Sequence, residues 1–354
     1  MSQKLYLRPV GLIYGAAAEA AVADGLALPL AGGPMAFTAA VLIEGTPQNS
    51  RRRLLTAPAL AGSREADLTA LVERVTVKRR PFAGLALDRP LLMGIVNVTP
   101  DSFSDGGLFD TKEAAIAQAA ELAAAGAAIV DVGGESTRPG SDSVEEGEEA
   151  ARVVPVIEGL RGLSAVISVD TRKASVARAA ARQGAKILND VSALTYDPNC
   201  LLVAVEAGLS LVLMHAQGEP KTMQDDPRYD DVVLDVFDYL SARIRAAEAA
   251  GIERSQIAAD PGLGFGKTLA HNLTLLANTS LFHALGVPLL IGASRKRFIQ
   301  GVSGGSAPRA REPGSHAAAI VAAAQGAQIL RVHDVAGCRQ SLAVWRASTF
   351  GTEN

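Results

Sequence analysis

The chain has 354 residues, 48% of them hydrophobic, 20% charged and 4% aromatic, with 34 Gly and 17 Pro, a composition that excludes disordered and fibrous classes. The formal charge of −3 gives no global reason to bind nucleic acid or a membrane surface, and no run reaches the roughly 18 apolar residues of a membrane span. Met1-Ser2-Gln3-Lys4 leads into no signal-peptide core, so a cytoplasmic location is expected, and Cys200 and Cys338 are too few for a disulfide framework or a zinc cluster.

Residues 1–80 read as a small α/β appendage of unknown role: 5–13 and 36–43 as strands, Asp24-Gly25 as a turn, 65–75 as a helix. Residues 1–88 hold 10 Lys and Arg against 7 Asp and Glu, concentrated in Arg51-Arg52-Arg53 and Lys78-Arg79-Arg80. Without interleaved aromatics these runs are expected to be solvated loop and linker charges. Residues 82–87 are expected to form a hairpin with the strand that follows, across Asp88-Arg89-Pro90, and to plug the lower mouth of the second unit, residues 81–354. Removal of residues 1–80 is expected to leave that unit folded.

From Leu91 onward, Val- and Ile-rich apolar runs alternate with Ala-rich amphipathic stretches. Strands are expected at 91–99, 127–134, 165–171, 185–192, 210–215, 257–263, 288–294 and 328–334, each nearly continuous in hydrophobicity, as a strand covered on both faces must be. Between them Asp110 with Glu113 reads as a capping box, and Gly126, Gly184, Gly208, Gly251, Gly286 and Gly326 stand where helices end. Eight such units fit an α/β fold of the (β/α)8 TIM-barrel type better than an open Rossmann-like sheet.

Catalytic groups of such a barrel gather at the C-terminal ends of its strands. Here those ends carry Asn97, then Glu135 to Arg138, Asp170, Asn189, His215, Asp260, Ser294-Arg295-Lys296, and Arg331 with His333. Any one of these could merely terminate a strand; all eight together point to a site.

The segment Met93-Gly94-Ile95-Val96-Asn97-Val98-Thr99-Pro100-Asp101-Ser102-Phe103-Ser104-Asp105-Gly106-Gly107 resembles the first signature of the dihydropteroate synthase family. Asp131-Val132-Gly133-Gly134-Glu135-Ser136-Thr137-Arg138-Pro139-Gly140 resembles the second. The likeness continues in order through Val169-Asp170-Thr171, Asn189-Asp190-Val191-Ser192, Met214-His215, Asp260-Pro261-Gly262-Leu263-Gly264-Phe265-Gly266-Lys267, Ser294-Arg295-Lys296 and Arg331-Val332-His333-Asp334.

The resemblance implies a (β/α)8 barrel that joins 6-hydroxymethyl-7,8-dihydropterin diphosphate to p-aminobenzoate. It gives Asp260 the two N–H donors of the pterin's amino-pyrimidinone edge, Asn189 the neighbouring ring nitrogen and amino group, and Lys296 the carbonyl oxygen and N5. Met214, Phe265 and Lys267 are counted with the substrate-binding residues. Asp170 stands where positive charge develops as diphosphate leaves, and Arg331 stacks on the ring. Asn97 is implied as ligand of an Mg²⁺ cofactor, with His333 and the helix after it as anion site. Asp101, Phe103 and Asp105 of the first loop, and Thr137, Arg138 and Pro139 of the second, are implied to close over the substrates. Many members have a serine after Ser-Arg-Lys that holds the p-aminobenzoate carboxylate; this chain has Arg297, which either pairs with that carboxylate or points to solvent and leaves backbone N–H groups to hold it, and Ser294 is counted with the substrate-binding residues. Members are usually homodimers.

Other patterns fail. Gly262 to Thr268 is no phosphate-binding P-loop, because Pro261 stands where its first glycine is needed. His215, His271, His283 and His316 lack metal-ligand spacing, and the last three are expected on helix surfaces or caps. A non-catalytic pterin binder would need only Asp170, Asn189, Asp260 and Lys296, and a folate-dependent methyltransferase would lack the diphosphate and aniline loops.

Overall fold

A computed structural model describes residues 4–99, 108–136, 141–219, 221–305 and 307–351. The appendage consists of β1 (Leu5–Tyr14), α1 (Gly15–Ala23), β2 (Leu28–Pro29), β3 (Met35–Thr46), β4 (Asn49–Thr56), α2 (Ala57–Ala61) and α3 (Ala66–Thr76). β3 is the centre of an antiparallel sheet, with β1 on one side and β2 and β4 on the other. The two expected strands and the helix are present. The Arg51-Arg52-Arg53 run, expected in a loop, instead forms β4, because its backbone completes a tight hairpin on β3 while its side chains stay in solvent. Arg52 pairs with Asp231 at 2.6 Å and Arg53 with Glu44 at 3.4 Å.

The second unit follows as β5 (Leu91–Asn97), α4 (Leu108–Ala124), β6 (Ile129–Gly133), α5 (Glu146–Gly159), β7 (Val166–Asp170), α6 (Ala174–Gln183), β8 (Ile187–Asp190), α7 (Asn199–Ala207) and β9 (Ser210–Met214). It continues with α8 (Val232–Ala249), β10 (Ile257–Asp260), α9 (Leu269–Ala277), β11 (Leu290–Ile291), α10 (Arg297–Ser303), α11 (Glu312–Ala323), β12 (Ile329–Val332) and α12 (Val335–Phe350). Every expected strand is present, all neighbours are parallel, and β12 pairs with both β11 and β5. Ala259 closes the ring by donating its N–H to Pro288 at 2.9 Å. This is a (β/α)8 barrel, not an open sheet. α4 begins ahead of Asp110, which therefore lies inside the helix rather than at its cap. All six expected helix-ending glycines have positive φ, from 61° at Gly208 to 118° at Gly184.

The barrel interior is layered. Met93, Ile129, Ile187, Val212, Ala258, Leu290 and Ile329 form an apolar lower layer, sealed from below by the fully buried Phe82. The plug is narrower than the sequence suggested. Phe82 and Leu85 exchange both backbone hydrogen bonds, at 3.0 and 2.8 Å, across Ala83-Gly84, both at positive φ, a two-residue hairpin turn. No pairing of this segment with β5 is present among the described residues. One step up each strand, where alternation returns side chains to the interior, stand Ile95, Asp131, Ser168, Asn189, Met214, Asp260, Gly292 and Arg331. The barrel thus changes from apolar to polar in one layer.

The appendage and the barrel share one core. Tyr6, Leu7, Phe37 and Leu42 belong to the same buried cluster as Phe237, Leu281 and Phe282 of the barrel. The Tyr6 ring meets Phe237 edge-on at 5.4 Å, and its hydroxyl donates to Asp238 at 2.9 Å. Arg79, expected to be a solvated linker charge, is buried, donating to the carbonyls of Val77 at 2.9 Å and His283 at 3.0 Å. Burial, with Arg254 nearby, pushes its pKa down to about 10. His283 is likewise no surface residue: it is wholly buried against Gln325, and burial beside Arg79 drives its imidazole down to about 3.

Candidate active site

The polar layer is organised around Arg331. Its Nε donates to Asp131 and its terminal nitrogen to Asp170, each at 2.7 Å. The Asn189 amide donates to the same Asp131 oxygen at 2.9 Å. Asp170 and Asn189 stand side by side in the β7–β8 register, and Asp260 opposite Met214 in β9–β10. Across the barrel, Asp260 accepts the Gly262 N–H at 2.7 Å. Lys296 donates to the Leu263 carbonyl, and its ammonium lies 4.6 Å from the centre of the Phe265 ring. Between these groups Gly292 leaves a gap: a Cβ there would stand 3.8 Å from the Arg331 Cβ, from an Asp260 carboxylate oxygen and from the Lys296 ammonium. Of the residues expected at the site, Asp260, Lys296 and Arg331 therefore meet around Gly292, and Asp170 and Asn189 join them through Arg331 and Asp131.

Burial dominates the electrostatics. It raises Asp170 to about 7, opposed by Arg331 and reinforced by Asp131, Glu149 and Asp190. It raises Asp260 as well, against the pull of Lys296, the Gly262 N–H, Arg331 and Lys267. Lys296 is pushed down to about 8 by burial, despite Asp260. Burial also works against the Arg331 charge, but Asp131 and Asp170 outweigh it and hold the guanidinium above its ordinary value. The acid and the base facing the gap are thus both tuned towards neutrality.

At the rim, the Ser294 hydroxyl accepts the backbone N–H of His333 at 3.2 Å and lies 2.9 Å from its Nδ1. With Ser294 donating to Nδ1, the ring proton sits on Nε2. Arg295 holds a left-handed conformation, φ 58°, a strained state for a side-chain-bearing residue. Ser315 accepts its N–H at 2.9 Å, Arg311 donates to its carbonyl at 2.9 Å, and Glu312 pairs with its guanidinium. Arg297 opens α10 exposed to solvent. Asn97 ends β5 half-buried, and its amide makes no hydrogen bond with the described residues. A carboxamide oxygen held there suits a hard, oxygen-seeking cation.

Lys267 differs from its assignment. It is buried, and its ammonium meets His215 Nδ1 at 2.9 Å, the Phe265 carbonyl at 3.0 Å and the His215 carbonyl at 3.3 Å, so it props the loop instead of reaching the gap. Burial drives Lys267 well below its usual value, Lys296 adding to this and Asp260 opposing it. Gln224 and Tyr229, unmarked by any motif, donate to the carbonyls of Gly264 at 2.6 Å and Gly266 at 2.7 Å, making the loop that carries Phe265 a fixed platform. Also unforeseen is the buried cluster under the second signature, where Lys173 pairs with Glu135 at 3.0 Å and with Glu149, and Arg172 pairs with Glu135 at 3.2 Å. His271 caps α9 as expected. His316 lies 3.2 Å from Asp334, and with Glu312 these form the only group of three ligating side chains found among the described residues. Asp101, Phe103, Asp105, Thr137, Arg138 and Pro139 lie outside the described residues.

The family described as pterin-binding enzymes matches residues 93–333. The dihydropteroate synthase of Escherichia coli is 48% identical over 271 residues, covering 76% of this chain and 95% of that protein. Dihydropteroate synthase of Xanthomonas albilineans with 4-aminobenzoic acid superposes with a TM-score of 0.71 at 50% identity, covering 75% of this chain and 96% of that one. The enzyme of the same organism in complex with 7,8-dihydropteroate gives 0.68 at 47%, covering 75% and 95%. The chain belongs to the pterin-binding enzymes, within them to the dihydropteroate synthases.

Proposed function

We propose that the protein condenses 6-hydroxymethyl-7,8-dihydropterin diphosphate with p-aminobenzoate, releasing diphosphate and 7,8-dihydropteroate for folate synthesis. The observation that carries the reading is the gap at Gly292, walled by Asp260, Lys296 and Arg331 at the barrel's C-terminal mouth. A pterin entering edge-first presents two N–H donors to Asp260, relieving the cost of a buried carboxylate. Asn189 takes the adjoining ring nitrogen and amino group, and Lys296 the carbonyl oxygen and N5. Arg331, edge-bound by Asp131 and Asp170, keeps its planar face for stacking on the ring. As the bond to diphosphate breaks, Asp170 offsets the positive charge developing on the pterin, and the p-aminobenzoate amine then attacks the exposed carbon. Arg297 and Ser294 face the carboxylate end of that second substrate.

The diphosphate is assigned to His333 and the N-terminus of α12, with Mg²⁺ held by Asn97. Bound there, the cation would neutralise charge on the leaving group. Asn97→Ala is expected to weaken pterin-diphosphate binding at least about tenfold while leaving free pterin affinity intact, since a methyl cannot ligate a hard cation. Calorimetry with both ligands, with and without Mg²⁺, reads this, and equal losses would refute the metal assignment. The whole reading is tested by incubating the protein with both substrates and Mg²⁺ and scoring dihydropteroate; pterin binding without product would favour the non-catalytic alternative.

The charge states give a pH dependence. Below about 7 Asp170 holds a proton and no longer offsets positive charge; above about 8 Lys296 loses its own. The kcat/KM profile is therefore expected to rise through the first value and fall beyond the second. Asp170→Asn should abolish the acid limb along with most of the rate, and a wild-type profile flat from about pH 6 to about pH 9 would refute these roles.

We further assign a homodimer to the exposed apolar residues Leu269 and Leu273 of α9, Val302 of α10, Val321 of α11 and Val344 of α12, which lie on neighbouring helices. A cytoplasmic location is proposed with it; no helix among the described residues is long and apolar enough to cross a membrane.

A further inference from the structure

Asp131 is wholly buried in the middle layer of the barrel, and the groups nearest to Gly292 are Arg331, Asp260 and Lys296 instead. One of its oxygens accepts from both Arg331, at 2.7 Å, and Asn189, at 2.9 Å. Among the described residues its other oxygen has no hydrogen-bond partner, and the hydroxyl of Ser168, its neighbour on β7, has none either. A buried carboxylate with one oxygen unsatisfied is costly, and an apolar residue would serve a purely structural purpose better.

What Asp131 supplies is direction. A carboxamide has two chemically opposite ends of nearly equal shape, and the Asp131 oxygen that takes the Arg331 N–H is an acceptor. Facing Asp131, Asn189 must turn its NH₂ end inward and its oxygen the other way. We propose that Asp131 is a positioning residue for ligand specificity: it fixes the orientation of the Asn189 carboxamide, and so decides which pattern of ring donors and acceptors the site accepts. The same oxygen holds Arg331 by its edge, so one carboxylate aligns both the group that reads the ring edge and the group that covers its face. The inference rests on the assignment of Asn189 to the pterin ring.

The test compares two free ligands, a pterin and the deaza analogue in which the ring nitrogen read by Asn189 is replaced by C–H, by calorimetry. Wild type should prefer the pterin at least about tenfold, because the analogue leaves a polar group of Asn189 unpaired. In Asp131→Asn, similar in shape, the two facing amides can flip, and the preference should fall to about twofold or less. Asn189→Ala should lose the preference equally, and the double variant should show little further change, as coupled residues do. Ser168→Ala, in the same layer, should keep it. A generic loss of stability would weaken both ligands alike and leave their ratio unmoved. Full preference in Asp131→Asn overturns the inference while leaving the pterin site standing. A wild type that does not prefer the pterin overturns the Asn189 assignment itself. If Asp131→Asn lacks a cooperative melt, Asp131→Ser is read by the same ratio.

Discussion

Asp260→Asn is expected to cost about 2–4 kcal/mol of pterin affinity, roughly 30-fold to 1,000-fold, with little change in the melting temperature. The carboxylate accepts the Gly262 N–H through one oxygen, and its other oxygen borders the gap at Gly292. An asparagine keeps the volume and can keep the Gly262 bond, so the barrel should stay folded. Against a ring edge offering two donors, however, the amide brings one acceptor and one donor of its own, and the donor pair left facing each other is desolvated with nothing gained. Lys296 adds to the loss. Asp260 opposes the effect of burial on its ammonium, and with that charge gone Lys296 should deprotonate at lower pH, drawing in the alkaline limb of the rate profile. Calorimetry with free pterin measures the first effect and the pH profile the second. Near-normal pterin affinity in the variant would remove Asp260 from the site.

The fold was legible because each barrel strand is covered on both faces and so must be an apolar run. The site was legible because polar residues ending eight such runs have one place to meet. Asp131 lies within the second signature, where Ala127-Ala128-Ile129-Val130-Asp131-Val132 puts a charge inside a buried strand. Such a charge demands a partner, and that signal was available. Which partner it finds was not, since Arg331 arrives from the far end of the chain by barrel closure alone. Lys267 shows the converse: its ammonium is held by the Phe265 carbonyl of its own motif and by two acceptors of His215, which that motif does not contain and which only the fold brings alongside. In the appendage, β4 escaped notice because its side chains face water and carry no alternation; backbone pairing with β3 is what makes it a strand. Arg79 and His283 are buried against expectation because burial at a contact between two units follows from docking, which no local pattern records.

That contact reverses one expectation about the appendage. The E. coli relative is covered over 95% of its length by a match spanning 76% of this chain, which leaves about a quarter of this chain outside the match. The barrel surface under β1 has become core. Deleting residues 1–80 would uncover parts of Phe237, Leu281 and Phe282, remove the Tyr6 bond to Asp238, and take away the Ser280 partner at the Pro9 carbonyl, 2.9 Å away. At about 1.5–3 kcal/mol for each large side chain returned to water, a few such residues approach the whole stability of an ordinary domain, about 5–15 kcal/mol. The truncated chain is therefore expected to be insoluble, or to bind a hydrophobic dye and melt without a sharp transition. Tyr6→Ala in the full-length protein supplies the graded version, with an expected loss of about 3–5 kcal/mol for a buried aromatic side chain. Denaturant unfolding measures it without requiring the deletion to fold. A truncated protein that melts cooperatively within a few degrees of the full chain, together with a Tyr6→Ala cost below about 1 kcal/mol, would show that the appendage merely rests on the barrel.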